Sequence, residues 1–550
     1  MTFGFGDSFY PLSTRAIRVA KQRTLFAVSV FLILFGALVM RLAQIMVLDS
    51  GDRESVEYSR SIPTPISRAD ITDRNGVIIA TSLPTVSLYA CPQEMMNIPE
   101  AAEKICNIFE KIDRKQLTAK LLSSRKFLWI KRHLSPSQEQ AVLDQGIPGL
   151  HFLKTERRVY PDKNLLAHVV GGTNIDNVGI AGIEKVFDQA LRESPESISL
   201  SIDVKAQHAV RDELQKAILE FSAIGGAAVV MEIATGEIIS LVSLPDFDPN
   251  KSSDPHSREH FNMVTSSAIE PGSSAKIFNT AMALESGRVT PFTKFDARFP
   301  LMVGRYTVHD FKGRGTFLSV EEIMKYSSNI GSAKIALEIG PAAQKKFFKK
   351  VGLLDTISCE LSETQHPLYP LRWNETSAIT ISYGHGVALS PLHIITVVSG
   401  ILNDGNLCNP TLLKRTAAIG RKILSSKTSN LMRALMRINV TEGANKFADV
   451  PGYCVGGKSG TAAKQRGGHY LKNTNYTGFV GAFPMTNPKY SIYVLLDEPK
   501  GTVRSHGYRT SGWNAVPTAA NIIRRIGPML GVMVSPGAEP NWGNILRNAK

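Results

Sequence analysis

Three short motifs follow one another in a fixed order, and their spacing constrains the fold of this chain more than any other feature. They are Ser273–Lys276 (Ser-Ser-Ala-Lys), Ser327–Asn329 (Ser-Ser-Asn) and Lys458–Thr461 (Lys-Ser-Gly-Thr). The first follows Pro271-Gly272 and leads into an apolar run, which is how a helix begins. The residues between the motifs leave room for a helical lobe between the helix that carries Ser273 and a strand that carries the third motif.

The residue types in these motifs suit serine acyl transfer. Residues three apart share a helix face, so Lys276 is expected beside Ser273. A serine hydroxyl becomes a good nucleophile when an adjacent base takes its proton, and a lysine can do so only if burial or a nearby cation holds it neutral. Lys458 is the candidate for that cation, and the helix N-terminus offers amide dipoles where an oxyanion would form. Ser123–Lys126 also satisfies Ser-x-x-Lys, but it lacks both this context and the companion motifs.

The N-terminal region predicts a membrane anchor. Leu25–Leu48 is apolar except at three positions, and as a helix of about 36 Å it is long enough to cross a bilayer. Four basic residues precede it, so the positive-inside rule predicts a cytoplasmic N-terminus and a catalytic domain outside. The alternative is a cleaved signal peptide, but no Ala-x-Ala-like cleavage site follows the apolar core.

Charge and cysteine content exclude some classes of function. The formal net charge is +15, yet no zinc-finger spacing, basic helix or RNA-binding aromatic signature is present. An anionic membrane or polymer is therefore favoured, and no nucleic-acid partner is expected. The five cysteines are odd in number, widely spaced and without a Cys-x-x-Cys pair, so neither a disulfide framework nor a metal site is predicted. No cofactor is expected either.

The remaining chain divides into a scaffold and a catalytic region. Residues 49–220 contain an Asn75-Gly76 hairpin signal and nothing that resembles a reaction centre. From residue 221 onward, two strands, a block of helices, three strands and a terminal helix predict an α+β fold with an antiparallel sheet between helices. The predicted boundaries are a cytoplasmic tail at 1–23, a transmembrane helix at 24–48, a pedestal at 49–220, the catalytic domain at 221–535 and a C-terminal tail at 536–550.

On these motifs the chain resembles the class B penicillin-binding proteins, and within them the cell-division D,D-transpeptidases of the FtsI type. The resemblance is carried by Glu270–Lys276, Tyr326–Asn329 and Gly457–Ala462, and by the pedestal segments Asp73–Gly76 and Gly182–Glu184. Two further segments favour the division type over the elongation type: Gly481–Pro484 and Leu496–Gly501. The fold implied is a five-stranded antiparallel sheet between helices, with an N-terminal β-rich pedestal of the dimerisation type.

The resemblance also implies a reaction, the cross-linking of peptidoglycan stem peptides at the division septum. Ser273 would attack the carbonyl between two terminal D-alanines, with Lys276 as the base. Ser327, with Lys458, would relay a proton to the departing amine, and Asn329 would hold both the peptide and the lysine.

The substrate contacts are implied in the same way. The backbone N–H groups of Ser273 and Thr461 would form the oxyanion hole. The Ser459–Thr461 segment (Ser459, Gly460, Thr461), beside Lys458, would bind the terminal carboxylate, because a cation and hydroxyl donors on an exposed strand suit that group. Departures from the family pattern, such as Ser459 where threonine is usual, keep the functional hydroxyl.

The implied partners are stem peptides, β-lactam antibiotics, the membrane, the polytopic glycan polymerase FtsW and other division proteins. The implied location is the inner membrane of a bacterial cell, with a single span and a periplasmic catalytic domain.

Alternative functions stay open at this stage. β-Lactamases and D,D-carboxypeptidases share the three motifs, but no Glu-x-x-x-Asn segment of the class A β-lactamases lies between Ser327 and Lys458, so a long-lived penicilloyl adduct is expected. A division scaffold with a vestigial site, or a β-lactam sensor, is the hypothesis from another class. His385 is interpreted as a packed or surface histidine, Cys454 as a packed side chain, and Asp497-Glu498 as structural or solvated carboxylates on opposite faces of a strand.

Overall fold

The structure, a computed structural model, describes residues 14–43, 67–123, 126–252, 254–304, 306–415, 417, 420–467, 469–534, 537 and 539–547. Helix α1 (Thr14–Ala43) belongs to a compact unit that is separate from residues 67–550. Its Lys21–Leu42 segment is long and apolar enough to cross a membrane and is exposed along its length. The predicted apolar helix is thus present as far as Ala43, and residues 44–48 of the predicted span lie outside the described residues.

The region that follows α1 contains the strands β1 (Ile71–Thr72), β2 (Ile78–Ala90), β3 (Leu128–Leu134), β4 (Leu150–Val159), β5 (Gly172–Thr173), β6 (Gly179–Ala181) and β7 (Ile198–Ser199). Five of them form a small sheet in the order β3-β2-β1-β7, with β4 also paired with β2, and β5 pairs with β6 in this region. Its helices are α2 (Ile98–Ile108), α3 (Arg114–Leu122), α4 (Pro136–Leu143), α5 (Ala167–Val170), α6 (Gly182–Val186) and α7 (Asp188–Glu193).

The predicted Asn75-Gly76 hairpin is confirmed. Strand β1 pairs antiparallel with β2. The Asp73 carboxylate accepts hydrogen bonds from the backbone N–H groups of Asn75 (2.7 Å) and Val77 (2.8 Å), and Gly76 supplies the positive φ of 84° that the turn requires.

A buried charge cluster links the strands of this region to α6. Glu184 is fully buried and accepts from Arg68 Nε (2.7 Å) and Arg158 Nε (2.6 Å), while Arg68 also pairs with Asp188 (2.7 Å). A buried carboxylate requires such partners because an unpaired charge is strongly disfavoured in a protein interior. The Gly182–Glu184 segment was part of the family resemblance, and the structure now explains the glutamate in it: Glu184 pairs with the two buried arginines.

The second sheet has five antiparallel strands in the order β16-β17-β18-β8-β9. These are β8 (Gly225–Glu232), β9 (Ile238–Leu244), β16 (Gly456–Arg466), β17 (His469–Phe483) and β18 (Tyr490–Asp497). Short two-stranded pairings lie between them in sequence: β10 (Lys294–Asp296) with β13 (Phe317–Ser319), β11 (Leu301–Val303) with β12 (Tyr306–Val308), and β14 (Asn406–Leu407) with β15 (Arg421–Lys422).

Helices cover both faces of this sheet, as predicted. One face packs against α8 (Val204–Glu220) and α17 (Ala515–Met529). The helices over the other face and in the lobe beyond it are α9 (Met263–Ser266), α10 (Ala275–Glu285), α11 (Val320–Tyr326), α12 (Asn329–Ile339), α13 (Pro341–Lys350), α14 (Glu375–Ser382), α15 (Pro391–Leu402) and α16 (Ser426–Thr441). A final short helix, α18 (Trp542–Arg547), packs on α16. Because β8, β9 and β18 are buried on both sides, they are apolar without strict alternation.

Strand β16 forms one edge of the sheet and faces the turn that precedes α10. Helix α8 ends at Glu220 and packs on the back of this sheet, although the predicted boundary at 220 assigns it to the pedestal. The apolar core on the face of this sheet opposite α8 includes side chains of β1 and β2. The region of the first sheet and the region of the second sheet therefore share apolar packing.

Candidate active site

Ser273 lies in a short 3-10 turn, Gly272–Ser274, that runs directly into α10. Lys276 is in the first turn of α10, and its side chain is completely buried. The predicted helix start is therefore confirmed, with the tighter 3-10 turn as its first element.

Lys276 is hydrogen-bonded to three of the predicted site residues. Its Nζ lies 2.8 Å from Ser273 Oγ, 3.3 Å from Ser327 Oγ and 2.7 Å from Asn329 Oδ1. Ser327 is a left-handed residue (φ 60°) between α11 and α12, and Asn329 is the first residue of α12. The structure thus brings the first two motifs together around one amine.

Asp310, between β12 and β13, holds the second motif in place. Its carboxylate accepts from Ser328 Oγ (2.7 Å) and from the backbone N–H groups of Asn329 (2.5 Å) and Ile330 (3.0 Å). It is therefore the anionic partner of the start of α12, where a negative charge is favourable. Sequence reasoning missed this residue because it lies in no motif and reaches the site only through the path of its loop.

The orientation of the Asn329 amide follows from its other contact. Its Nδ2 donates to the carbonyl of His309 at 3.0 Å. With the nitrogen fixed there, Oδ1 faces Lys276 as an acceptor.

Burial sets the protonation of the two lysines. It holds the pKa of Lys276 well below its usual range; the charge of Lys458 acts in the same direction, and Asp310 opposes both. Burial alone lowers the pKa of Lys458 to about 7. A neutral amine has two N–H donors and one lone pair, so donation to Asn329 and Ser327 leaves the lone pair of Lys276 for the Ser273 hydroxyl. This arrangement can deprotonate Ser273.

The third motif lies on the edge strand β16, where Lys458 is opposite Val480 and Thr461 is opposite Thr477. Lys458 is buried, whereas Ser459 and Thr461, on the other face of the strand, are partly exposed. Lys458 Nζ lies 3.3 Å from the carbonyl of Ser459, and within the described chain it has no direct hydrogen bond to Ser327. The predicted relay between Ser327 and Lys458 is therefore not made through a direct hydrogen bond.

Glycines allow the nucleophile turn to fit closely between β16 and the loop after α14. A Cβ on Gly460 would lie 2.3 Å from the Pro271 carbonyl oxygen, and one on Gly272 would lie 2.6 Å from that of Thr461. On the other side, a Cβ on Gly384 would lie 1.8 Å from the carbonyl oxygen of Gly272. A side chain at Gly272, Gly384 or Gly460 would displace the turn that carries Ser273, which explains why these positions are glycine.

The Thr461 side chain has a partner that the sequence did not suggest. Its Oγ1 accepts from the Ser511 backbone N–H at 3.2 Å and is 3.1 Å from Ser511 Oγ. The hydroxyl is thereby oriented on the partly exposed face of the strand.

Glu270 joins the first motif to the far end of the β16–β17 hairpin. Its carboxylate is 2.8 Å from His385 Nδ1 and accepts from Gln465 Nε2 (3.0 Å) and the Tyr470 hydroxyl (3.2 Å). Burial, and next the charge of Glu270, raise the pKa of Tyr470 to about 12, so its hydroxyl stays a donor. His385 is one-third exposed and lies edge-on to the rings of Tyr383 and Tyr470, in agreement with a packed or surface histidine.

The competing motif at Ser123 has no comparable environment. Ser123 caps the end of α3 and donates to the carbonyl of Lys120 at 2.5 Å, and residues 124 and 125 lie outside the described chain. Cys454 is buried, and burial raises the pKa of its thiol to about 11, so packing describes it better than nucleophilic chemistry.

The prediction that Asp497 and Glu498 point to opposite faces is wrong. Strand β18 ends at Asp497 and Glu498 has φ 53°, so the alternation of a strand does not extend to it. Both carboxylates are instead 2.8 Å from Lys464 Nζ. They form ion pairs, and their structural role is in agreement with the sequence interpretation.

Comparisons with known proteins agree with this fold. Residues 226–524 match the family described as penicillin binding protein transpeptidase domain, and residues 63–218 match the penicillin-binding protein dimerisation domain. The probable peptidoglycan D,D-transpeptidase FtsI of Caulobacter vibrioides is 34% identical over 85% of this chain and 82% of its own length. The peptidoglycan D,D-transpeptidase FtsI of Escherichia coli K12 is 26% identical over 83% of this chain and 82% of its own length.

A solved structure shares the fold. It is the crystal structure of penicillin-binding protein 3 of Mycobacterium tuberculosis complexed with aztreonam, at a TM-score of 0.68 and 22% identity, covering 86% of this chain and 98% of that one. The helix-covered sheet and the serine beside a buried lysine define a serine acyl-transfer protein. The chain belongs to the penicillin-binding protein transpeptidase family.

Proposed function

We propose that this protein is a peptidoglycan D,D-transpeptidase that cross-links stem peptides at the division septum and is a target of β-lactams. The observation that carries the proposal is the buried Lys276 amine, which is hydrogen-bonded at once to Ser273, Ser327 and Asn329. The names of the relatives agree with this reaction.

Acylation begins at Ser273. Lys276 takes the hydroxyl proton, and Ser273 Oγ attacks the carbonyl between the two terminal D-alanines of a stem peptide. The tetrahedral oxyanion is stabilised by the backbone N–H groups of Ser273 and Thr461. The bond to the last D-alanine breaks and the acyl-enzyme remains.

The departing amine needs a proton. Ser327 supplies it and is reprotonated from Lys276, with which it already shares a hydrogen bond. Because Lys458 and Ser327 are not hydrogen-bonded to each other, Lys458 acts on this step through its charge. Asn329 keeps the amine of Lys276 in position and binds the peptide.

Substrate recognition falls to the Ser459–Thr461 segment. Ser459 and Thr461 present hydroxyls on the partly exposed face of an edge strand, Gly460 lets that strand approach the nucleophile turn, and Lys458 adds a positive field. These groups suit the terminal carboxylate of a stem peptide, and equally the carboxylate of a penicillin.

The acyl-enzyme is left for an amine acceptor to resolve. Within the described part of the chain, no carboxylate is hydrogen-bonded to Ser273 or Lys276. In class A β-lactamases a glutamate activates the hydrolytic water, so in its absence slow hydrolysis of a penicilloyl adduct is expected.

The proposal includes location, partners and domains. The chain is held in the inner membrane by one span at 24–48 after a cytoplasmic tail at 1–23. The pedestal (49–220), the catalytic domain (221–535) and the tail (536–550) lie in the periplasm. The apolar Lys21–Leu42 helix and the basic residues before it support this topology. The membrane helix and the pedestal bind the glycan polymerase FtsW and other division proteins.

Covalent labelling of the detergent-extracted full chain by a fluorescent penicillin tests the reaction. The wild type and Ser123→Ala should label and hold the label for hours, whereas Ser273→Ala should not label. Rapid loss of the label would indicate a β-lactamase. A folded wild type that does not label would favour a division scaffold over an enzyme.

A further inference from the structure

Three side chains with metal-binding atoms meet in the pedestal, far in sequence from the acyl-transfer motifs. They are Cys91, Glu94 and His151, and one ligand atom from each lies within 4.8 Å of the others. Glu94 Oε2 is 2.6 Å from His151 Nε2. None of these side chains takes part in the reaction proposed above.

The backbone holds these side chains close together. Cys91 follows the last residue of β2, and the short 3-10 turn Pro92–Glu94 returns Glu94 toward it, with Glu94 N–H bonded to the Cys91 carbonyl at 3.0 Å. The Cys91 N–H donates to the carbonyl of Gly149 at 2.8 Å, next to the start of β4. A Cβ on Gly149 would lie 2.8 Å from the Cys91 carbonyl oxygen, so glycine permits this close approach.

His151 is fixed in a similar way. It lies on β4 opposite Tyr89 of β2, and the two rings stack with centroids 5.3 Å apart and an angle of 28° between their planes. A ring held in this way loses little further freedom when its nitrogen binds a ligand. The site is therefore largely preformed.

We propose that Cys91, Glu94 and His151 bind a Zn²⁺ ion. A thiolate, an imidazole nitrogen and a carboxylate are the donors that Zn²⁺ takes in proteins, whereas Ca²⁺ and Mg²⁺ prefer oxygen alone. Three protein ligands leave a fourth tetrahedral position for water, and the partial exposure of all three groups admits it. An isolated surface pair of Glu94 and His151 would gain little from its charges.

The position of the ion indicates what it does. Strand β2, β4 and the turn before α2 border the small apolar core formed by α2, α3 and the ends of these strands. An ion bound there links the two strands to the turn and stabilises this lobe of the pedestal. Zn²⁺ binds the thiolate form of cysteine, so binding displaces the Cys91 proton and weakens as the pH falls.

Co²⁺ is a suitable probe, because a thiolate ligand gives it a charge-transfer band in the near ultraviolet. The full-length chain in detergent, freed of metal by a chelator, is titrated with Co²⁺. We expect one equivalent to produce the band, Zn²⁺ to displace it, and Cys91→Ser to abolish it. Cys106→Ser is the matched control, since Cys106 is a half-buried thiol of the same lobe, and it should keep the band.

Two further variants separate a metal site from a reactive thiol. Glu94→Gln and His151→Gln change exposed or partly exposed groups, so folding should be retained, and each should weaken Co²⁺ binding by about tenfold or more. Zn²⁺ should raise the thermal midpoint of the wild type and not that of His151→Gln. An unaltered band in Cys91→Ser, the absence of a band in the folded wild type, or equal affinity in wild type and His151→Gln would overturn the proposal. Penicillin labelling of Ser273 should be the same in every variant, so the outcome is independent of the proposed function.

Discussion

Lys458→Met is expected to make the protein more stable and less active. Burial of Lys458 removes its amine from water and disfavours the charged form. Its side chain is 1% exposed, and burial lowers its pKa from 10.5 to about 7. One pKa unit corresponds to about 1.4 kcal/mol, so at pH 7 the burial of this lysine opposes folding by roughly 4 kcal/mol. Methionine fills a similar space without an amine, and at pH 7 it removes most of that cost.

The sign and pH range of the effect follow from linkage. The pKa of Lys458 in the folded protein is below its unfolded value, so between pH 7 and 10.5 the unfolded chain binds more protons. The stability of the wild type therefore rises with pH across this range, by up to about 1.4 kcal/mol per unit from this group, and that of Lys458→Met lacks this contribution. The advantage of the variant should be greatest at pH 7 and below, and it should fall as the pH approaches 10.5.

Thermal unfolding of the detergent-extracted protein, measured at steps from about pH 6 to about pH 9, tests this. A rise of several degrees in the midpoint is expected for Lys458→Met near pH 7. Lys346→Met, on an exposed part of α13, is the matched control and should change little at any pH. Parallel curves for Lys458→Met and wild type, or a destabilised variant near pH 7, would refute the reasoning.

The same variant has an effect on Lys276. The charge of Lys458 is the second cause, after burial, of the low pKa of Lys276. Without that charge the pKa of Lys276 rises, so less of the amine is neutral at pH 7 and penicillin labelling slows. The labelling rate of Lys458→Met should then increase toward alkaline pH more steeply than that of the wild type.

Three further substitutions address the supports of the site and of the pedestal. Asp310→Ala removes the acceptor for the start of α12, and it should slow penicillin labelling and lower stability by about 1–2 kcal/mol; an unchanged labelling rate would contradict its positioning role. Gly384→Ala places a Cβ 1.8 Å from the backbone of the nucleophile turn and should abolish labelling, whereas Gly386→Ala, in the same loop and also at positive φ, meets no atom closer than 3.5 Å and should keep it. Glu184→Gln leaves two buried arginines poorly paired, so it should lower the free energy of unfolding measured in urea by about 3 kcal/mol. The exposed Glu193→Gln should leave that free energy almost unchanged, and equal unfolding midpoints for the two variants would refute a structural role for the buried cluster.

Local features of the site could be predicted from the sequence. The Ser273 turn is signalled by Pro271-Gly272, and Lys276 follows at a spacing that one helical turn fixes. The inner strands β8, β9 and β18 are recognisable because they are largely apolar runs bounded by turn residues. Each of these patterns is contained within a few neighbouring residues, so no tertiary information is needed.

Contacts set by the tertiary path of the chain could not be predicted. Asp310 reaches the start of α12 from an irregular loop, and nothing in its neighbouring sequence marks it. Glu270 begins the family motif Glu270–Lys276, yet its partners His385 and Tyr470 come from two other segments of the chain. The orientation of Glu498 could not be predicted for the same reason. The backbone leaves the strand after Asp497, so the alternation of side chains does not extend to Glu498.

The position of Asp310 bears on why the site would transfer an acyl group to an amine rather than to water. It is a carboxylate close enough to the site to affect the pKa of Lys276, and a base for hydrolysis would have to be a group of this kind. Both of its oxygens are engaged, one by Ser328 Oγ and the other by the N–H groups of Asn329 and Ile330. Taking a proton from water would neutralise the carboxylate and weaken the hydrogen bonds that it accepts at the start of α12, the helix that carries Asn329. We therefore expect Asp310 to be a poor base for water and the acyl-enzyme to persist until an amine reaches it.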